Sequence, residues 1–263
     1  MAGMAISPGS APPPTSASPL TLAIDIGGSG LKASVLTPDG TFIHERVRIP
    51  TTFPCPPAKL LDDLERLVAP LPTYDRVSAG FPGMVRGGLV LTASNFATEG
   101  GPGTKVDPEL VRQWERFDLA GALAQRLGRP ARVVNDADMQ GSAVVSGKGL
   151  EMVVTLGTGV GTALFHEGRL APHLEVAHHP FRKGETYDEQ LGDVARREIG
   201  SKRWNRRVAL AVENLDRLTV YDRLYIGGGN SHRVTAVLGP KVTLVDNTAG
   251  IVGGVRIWDI PIL

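Results

Sequence analysis

The chain has 263 residues, 28 basic and 27 acidic, a formal net charge of +1 and 42% hydrophobic residues. That length can bury a substantial core in one large domain or two ordinary ones, and the balanced charge gives no global attraction for nucleic acid or an anionic membrane. The single cysteine, Cys55, excludes an intramolecular disulfide and any zinc site built from several cysteines, and it suits a reducing compartment.

Residues 1–19 are rich in Pro, Ala and Ser, have little to bury, and are expected to form a disordered tail. They lack the basic region and continuous apolar core of a secretory signal, and no later apolar run is long enough to span a bilayer. The expected location is therefore cytoplasmic. From Leu20 the pattern reads as an apolar strand to Ile26, a Gly-rich turn from Gly27 to Gly30, a strand from Leu31 to Leu36, a Pro-Asp-Gly turn and a third strand from Thr41. Leu60, Leu61, Leu64, Leu67 and Val68 share one helical face. A strand at "RVSAGFPGMV", a helix led by Asp118 and closed by Gly128, and a strand at "ARVVND" follow. A meander followed by helix, strand, helix and strand predicts an α/β domain with a mixed sheet.

The meander then recurs from Glu151 to Pro172 as strand, Gly-Thr-Gly-Val-Gly turn, strand, Glu167-Gly168 turn and short strand. Two copies predict two similar domains facing each other across a cleft. Gly lets backbone approach a ligand closely, and exposed N–H groups in such a turn form an anion-binding nest. Ordinary hairpins tightened by Gly would look the same one at a time. The recurrence, with a third cluster at Gly227, Gly228 and Gly229 after the strand "RLYI", favours a phosphate held from two sides. No P-loop motif is present, and "GGSGLK" leads into a strand rather than the helix of a dinucleotide fingerprint.

The segment "RVVNDADMQG" brings an Asn and two carboxylates to a strand end, where a carboxylate can serve as base, metal ligand or helix cap. Together "AIDIGGSGLK", "AGFPGMV", "VVNDAD", "VTLGTGVGTAL", "LEVAHHPF" and "YIGGGN" resemble, in this order, the ROK family (repressors, open reading frames and sugar kinases) of the actin-like ATPase-domain superfamily. Within it they look most like polyphosphate-dependent glucokinases, and the resemblance covers the chain from residue 20 onward. It implies two actin-like, ribonuclease H-like domains with a cleft between them, at residues 20–135 and 136–247. A final helical segment, 248–263, would return to the first. It also implies phosphoryl transfer to a hexose hydroxyl, glucose first, and a homodimer.

By the same resemblance Asp136 is the base that takes the proton of the sugar 6-hydroxyl, and Asn95, Asn135, Glu175 and His178 bind the sugar. Asp25 helps place Mg²⁺ and the phosphates, which fits an ion that keeps its waters and needs few protein oxygens. Gly27, Gly28, Ser29, Gly30 and Lys32 form the first phosphate loop, Gly157, Thr158 and Gly159 the second, and Gly227, Gly228 and Gly229 the adenosine-side motif. Asp138 reads instead as a carboxylate favourable at a helix N-terminus. His173, Glu175, His178 and His179 suggest a metal cluster on composition alone, but zinc-binding relatives combine this His with several cysteines, and none lies nearby. Two features depart from the family pattern: the usual Glu after "NDAD" is missing, and Ala177 stands where Gly is common. They leave mannose or an N-acetylated amino sugar open as acceptor.

Ser29-Gly30 resembles the polyphosphate-using branch, and the Gly227 cluster keeps ATP open as a second donor. Arg182, Lys183, Arg196, Arg197, Lys202, Arg203, Arg206 and Arg207 could form a track for a long polyanion. They could equally be a solvated helix face, since Glu185, Asp188, Glu189, Asp193 and Glu198 are interleaved. No helix-turn-helix segment precedes the kinase-like body, so nucleic acid is not an expected partner. A non-catalytic sugar sensor that kept the pocket is the rival from another class.

Overall fold

Strand β1 (Thr21–Gly27) alternates Leu22, Ile24 and Ile26 with Ala23 and Asp25, so its two faces differ in chemistry. It pairs antiparallel with β2 (Gly30–Leu36), Asp25 opposite Lys32 and Gly27 opposite Gly30, which leaves Gly28 and Ser29 as the hairpin loop. The computed structural model describes residues 18–93, 95–246 and 249–262. Of the expected tail only Ser18 and Pro19 fall among them, both exposed, and residues 1–17 lie outside.

The third strand, expected from Thr41, begins at Val47: β3 is Val47–Ile49. The reason is local hydrogen bonding. Thr37 Oγ1 donates to the Thr41 carbonyl at 3.1 Å and Thr41 N–H donates to Asp39 at 3.2 Å, closing a turn. Phe42 makes only an isolated bridge to Leu36, and the Ser34 hydroxyl donates to the His44 carbonyl at 3.0 Å. The ladder resumes only where Ala33 meets Val47.

Next come α1 (Pro57–Val68), β4 (Arg76–Phe81), β5 (Val85–Arg86), β6 (Leu89–Val90), α2 (Pro108–Trp114), β7 (Phe117–Asp118), α3 (Leu119–Leu127) and β8 (Ala131–Asn135). β4 pairs parallel with β1 and β8 with β4, giving the order β3-β2-β1-β4-β8. β5, β6 and β7 form a separate small sheet. Helix α3 starts where the Asp118 side chain accepts from Gly121 N–H and stops at Gly128, which takes the left-handed conformation at φ 64°. The α1 stripe of Leu60, Leu61, Leu64 and Leu67 packs with Leu123 of α3 on the Leu22, Ile24 and Ile26 face of the sheet.

The second half contains α4 (Asp136–Ser142), β9 (Leu150–Leu156), β10 (Val160–His166), β11 (Arg169–Leu170), β12 (Pro180–Arg182), β13 (Glu185–Thr186) and α5 (Tyr187–Leu191). It continues through α6 (Asp193–Ile199), α7 (Ser201–Thr219), β14 (Arg223–Gly227), β15 (Val242–Leu244) and α8 (Ala249–Arg256). The order β11-β10-β9-β14-β15 repeats the first sheet, with two antiparallel neighbours on one side and two parallel ones on the other. Trp204, Val208, Val212 and Leu215 of α7 cover Met152, Val154 and Leu156 of β9. On the other face Val153, Ala163, Phe165 and Tyr225 meet Val134 and Met139.

Helix α4 packs on β4 and β8 of the first sheet and on β9 and β10 of the second, while α8 lies on α4 and β1. The two sheets therefore share a middle layer. Its closeness depends on Gly253, where a Cβ would run into the Met139 carbonyl oxygen. Among the described residues no helix is long and apolar enough to cross a membrane.

Candidate active site

Strand β8 delivers Asn135 and Asp136 to the start of α4, beside the end of β4. The Asn135 side chain caps the helix by accepting from Ala137 N–H at 2.8 Å, and its amide donates to the carbonyls of Phe81 at 3.4 Å and Gly83 at 3.0 Å. Asn135 is only 4% exposed. Its amide is thus engaged with the protein in this structure, where it fixes the helix start. Asp136 is half-buried and accepts from Ala137 N–H at 2.9 Å. Burial, with the charges of Asp25 and Asp138, pushes its carboxyl up to about 7, against the opposing pull of Ala137 N–H and His173. Room for it is made by Gly80, where a Cβ would lie 2.9 Å from Met139 Cε and 3.1 Å from Asp136 Cα.

The registers align Arg48, Lys32, Asp25, Gly80 and Val134 as one row across β3, β2, β1, β4 and β8. Lys32 Nζ donates to Asp25 Oδ2 at 2.9 Å. The Arg48 guanidinium lies over the turn, with Nε and Nη2 at 3.0 and 3.2 Å from the position of a Cβ on Gly30. It has no hydrogen-bond or ionic partner among the described residues. Thr51 Oγ1 donates to the Gly27 carbonyl at 2.6 Å and pins the turn. Gly28 faces Pro102 and Asn95, whose Nδ2 would be 3.5 Å from a Cβ there, so Asn95 stands beside the Gly27–Gly30 turn. Ser29, at the hairpin tip, is exposed.

Among the described residues no group of three or more His, Cys, Asp and Glu could hold a metal by itself. Asp25 has one oxygen engaged by Lys32 and lies beside a turn with almost no side chains. Such a donor set fits Mg²⁺ carried largely by phosphate oxygens and water.

The second turn is braced from behind. Gly157 N–H donates to the Gly159 carbonyl at 2.9 Å, Asp193 N–H donates to the Gly157 carbonyl at 3.1 Å, and Val160 N–H donates to Asp188 at 2.5 Å. Asn230 joins this turn to the third Gly cluster: its amide donates to the Gly157 carbonyl at 3.1 Å and to Asp193 at 3.2 Å, and its N–H donates to the Leu156 carbonyl at 2.8 Å. Gly228 is left-handed at φ 84°, with Leu156 backbone where a Cβ would go. Gly227 is buried, whereas Thr158 and Gly229 are exposed and Gly157 faces open space.

The basic stretch divides in two. Arg196 and Arg197 pair with Asp193 at 2.7 and 2.6 Å, and Arg207 donates to the Gln190 carbonyl at 3.2 Å. Arg182, Lys183, Lys202, Arg203 and Arg206 are exposed.

In the loop between β11 and β12, Glu175 is half-buried and accepts from Ala177 N–H at 3.2 Å. His173 reaches Asp138 with Nδ1 at 3.2 Å and faces Glu175 with Nε2 at 3.6 Å. Asp138 is therefore more than a helix-end carboxylate: it is 2% exposed and anchors a long-range pair. Burial alone would lower the His173 pKa, but the two carboxylates outweigh it and hold the imidazole at about 9. His178 and His179 are exposed, and His179 Nδ1 lies 3.1 Å from the Pro180 carbonyl. The histidines of this segment do not converge. Gly80, Arg48, Asn230 and His173 were not among the expected site residues. Gly80 inside "AGFPGMV", Asn230 inside "YIGGGN" and His173 in the His-rich segment carry a signal in the sequence, whereas Arg48 carries none.

Residues 21–173 match the family model described as ROK family. The chain is 28% identical over 249 residues to the polyphosphate glucokinase of Mycobacterium tuberculosis, covering 88% of each chain. It is 33% identical over 155 residues to an N-acetylmannosamine kinase of Escherichia coli, covering 57% of this chain and 48% of the other. Among solved structures, the inorganic polyphosphate/ATP-glucomannokinase from Arthrobacter sp. strain KM matches with a TM-score of 0.75 at 29% identity, over 90% of this chain and 97% of that one. The mixed α/β fold is the two-domain actin-like one of these sugar kinases. With the motifs, the repeated sheet and the matched model in agreement, the chain belongs to the ROK family.

Proposed function

We propose that this protein is a phosphotransferase with an alcohol acceptor: a kinase that moves a phosphoryl group from inorganic polyphosphate, and from ATP as second donor, to the 6-hydroxyl of glucose. The observation that carries the reading is Asp136, a half-buried carboxyl at the first position of α4 beside Gly80, which burial and the charge of Asp25 push up to about 7. Its relatives include a polyphosphate glucokinase and a polyphosphate/ATP-glucomannokinase.

Asp136 accepts the hydrogen bond of the 6-hydroxyl, turns an oxygen lone pair toward phosphorus and takes the proton as the O–P bond forms. The bridging O–P bond of the donor breaks, and the electron pair leaves with the shortened polyphosphate or ADP. A carboxyl near 7 is well matched to this task, because it is ionised enough to act and basic enough to hold the proton. Glu175 accepts from adjacent sugar hydroxyls, with His178 and Asn95 as further polar contacts. Asn135 holds Asp136 in place. Lys32 and the N–H groups left free in the Gly27–Gly30 and Gly157–Gly159 turns cradle phosphate, and Mg²⁺ at Asp25 would neutralise donor charge. Residues 20–135 and 136–247, with 248–263 returning to the first, act as two domains whose closure excludes water and limits hydrolysis of the donor.

The likeness to an N-acetylmannosamine kinase, with Ala177 in the sugar motif, supports a second reading in which another hexose is the acceptor. The test is product formation by purified protein with Mg²⁺, offering glucose, mannose and N-acetylmannosamine in turn with long-chain polyphosphate and with ATP. Glucose 6-phosphate from polyphosphate is the expected product. Turnover with ATP alone would remove polyphosphate from the proposal. Glucose binding without turnover under every condition would replace the kinase by a sensor.

A further inference from the structure

The imidazole of His173 sits between two carboxylates contributed by different parts of the fold. Asp138 comes from the first turn of α4, two positions after Asp136, and Glu175 comes from the loop that carries His173 itself. The His173 and Asp138 side chains are 3% and 4% exposed, and Glu175 is 23% exposed. Neutral imidazole has one N–H, so one of its nitrogens would turn a lone pair toward a carboxylate; only the imidazolium offers a proton to each. The geometry itself selects the cation, and the direction of the His173 pKa agrees with it.

We infer that His173 is a positioning residue, a buried cation that ties the sugar-binding Glu175 to the helix carrying Asp136. The inference rests on the roles proposed above for those two carboxylates. The loop has a second anchor in Thr162 Oγ1, which donates to the Leu174 carbonyl at 2.6 Å and fastens the backbone to β10. Between these anchors Glu175 has little freedom. The two ends of His173 differ in kind: the Asp138 end is at hydrogen-bond distance, while the 3.6 Å Glu175 end is an ion-pair separation and Nε2 has no hydrogen-bond partner. Charge fixes where Glu175 sits while leaving its oxygens able to turn toward sugar hydroxyls.

The charged groups facing His173 are Asp138 and Asp136 from α4 and Glu175 from its own loop, with His178 beyond Glu175. Removing the cation leaves three carboxylates with only the exposed His178 to offset them. Each becomes harder to ionise, so the base is available only at higher pH and Glu175 is a poorer acceptor.

The experiment compares wild-type protein with His173→Gln, which removes the charge but keeps an amide donor. The Michaelis constant for glucose is expected to rise about tenfold, as for loss of a charge-assisted contact, with that for the donor unchanged. The acid limb of kcat/KM is expected to move to higher pH. A lower thermal midpoint with an unmoved pH profile and unchanged glucose KM would reduce His173 to a structural tether and overturn the inference. Should the variant not fold, or wild type not turn over glucose, a histidine NMR titration of wild type and Asp138→Asn decides the matter without turnover. His173 is expected to titrate well above neutral pH and to fall in Asp138→Asn; titration below pH 7 in wild type would overturn the inference whatever the reaction proves to be.

Discussion

Asp25 and Asp136 flank Gly80 on one face of the first sheet, and the charge of Asp25 adds to burial in making Asp136 harder to ionise. Because the Asp136 carboxyl is pushed up to about 7, the fraction able to accept a proton falls as pH drops through that value. The logarithm of kcat/KM should therefore rise with pH below about 7 and level off above it. A pH–rate profile that stays flat down to pH 5 would contradict the assignment.

The same shift makes Asp136 a liability for folding. Its folded pKa lies above the ordinary Asp value, so its favourable contribution is fully present only below the unfolded pKa and is lost as pH rises through about 7. Asp136→Asn keeps an acceptor for Ala137 N–H without the charge. The variant should gain on the order of 2 kcal/mol over wild type at pH 8, with a smaller gain at pH 5. Thermal unfolding of both proteins at the two pH values measures this.

Gly80→Ala tests whether Asp136 needs its present position. The new Cβ would meet the flexible end of Met139 at 2.9 Å, which can yield, and Asp136 Cα at 3.1 Å, which is backbone. Turnover should fall at least about tenfold, since small misplacements of a reacting group are expensive, while stability drops by only about 1 kcal/mol. Steady-state kinetics beside a melting curve separate the two effects.

Donor recognition should divide by position. Arg48 lies over the Gly27–Gly30 turn, the proposed phosphate loop for either donor, so Arg48→Ala should raise the apparent KM for polyphosphate and ATP alike by about tenfold. Arg203 and Arg206 are exposed on α7, and their joint reversal to Glu should weaken polyphosphate use far more than ATP use. Equal losses with both donors in the double variant would remove the polyanion track.

Local signals carried much of the fold. The alternation in β1, the stripe on α1 and the Asp118 and Gly128 ends of α3 all stand in the sequence as they do in space, because each depends on neighbours within a few residues. The start of β3 does not, since it is decided by side-chain hydrogen bonds at Thr37, Asp39 and Ser34 that compete with the ladder. In α7, Trp204, Val208, Val212 and Leu215 fall at helical spacing inside the most basic segment, and they build the core while Lys202, Arg203 and Arg206 point outward. The ordered motifs marked Asp25, Asp136 and the Gly-rich turns. They could not reveal that Asn135 turns inward to Phe81 and Gly83, or that His173 reaches Asp138 across 35 positions, because those contacts depend on how distant strands and helices meet.

The most direct test of the central claim, that Asp136 takes the proton from the sugar, is a paired measurement on Asp136→Asn with calorimetric glucose binding alongside turnover on polyphosphate and ATP. Turnover is expected to fall by at least about a hundredfold, the usual scale for loss of a general base, with glucose affinity little changed. Turnover close to that of wild type in a variant that binds glucose normally would contradict that claim.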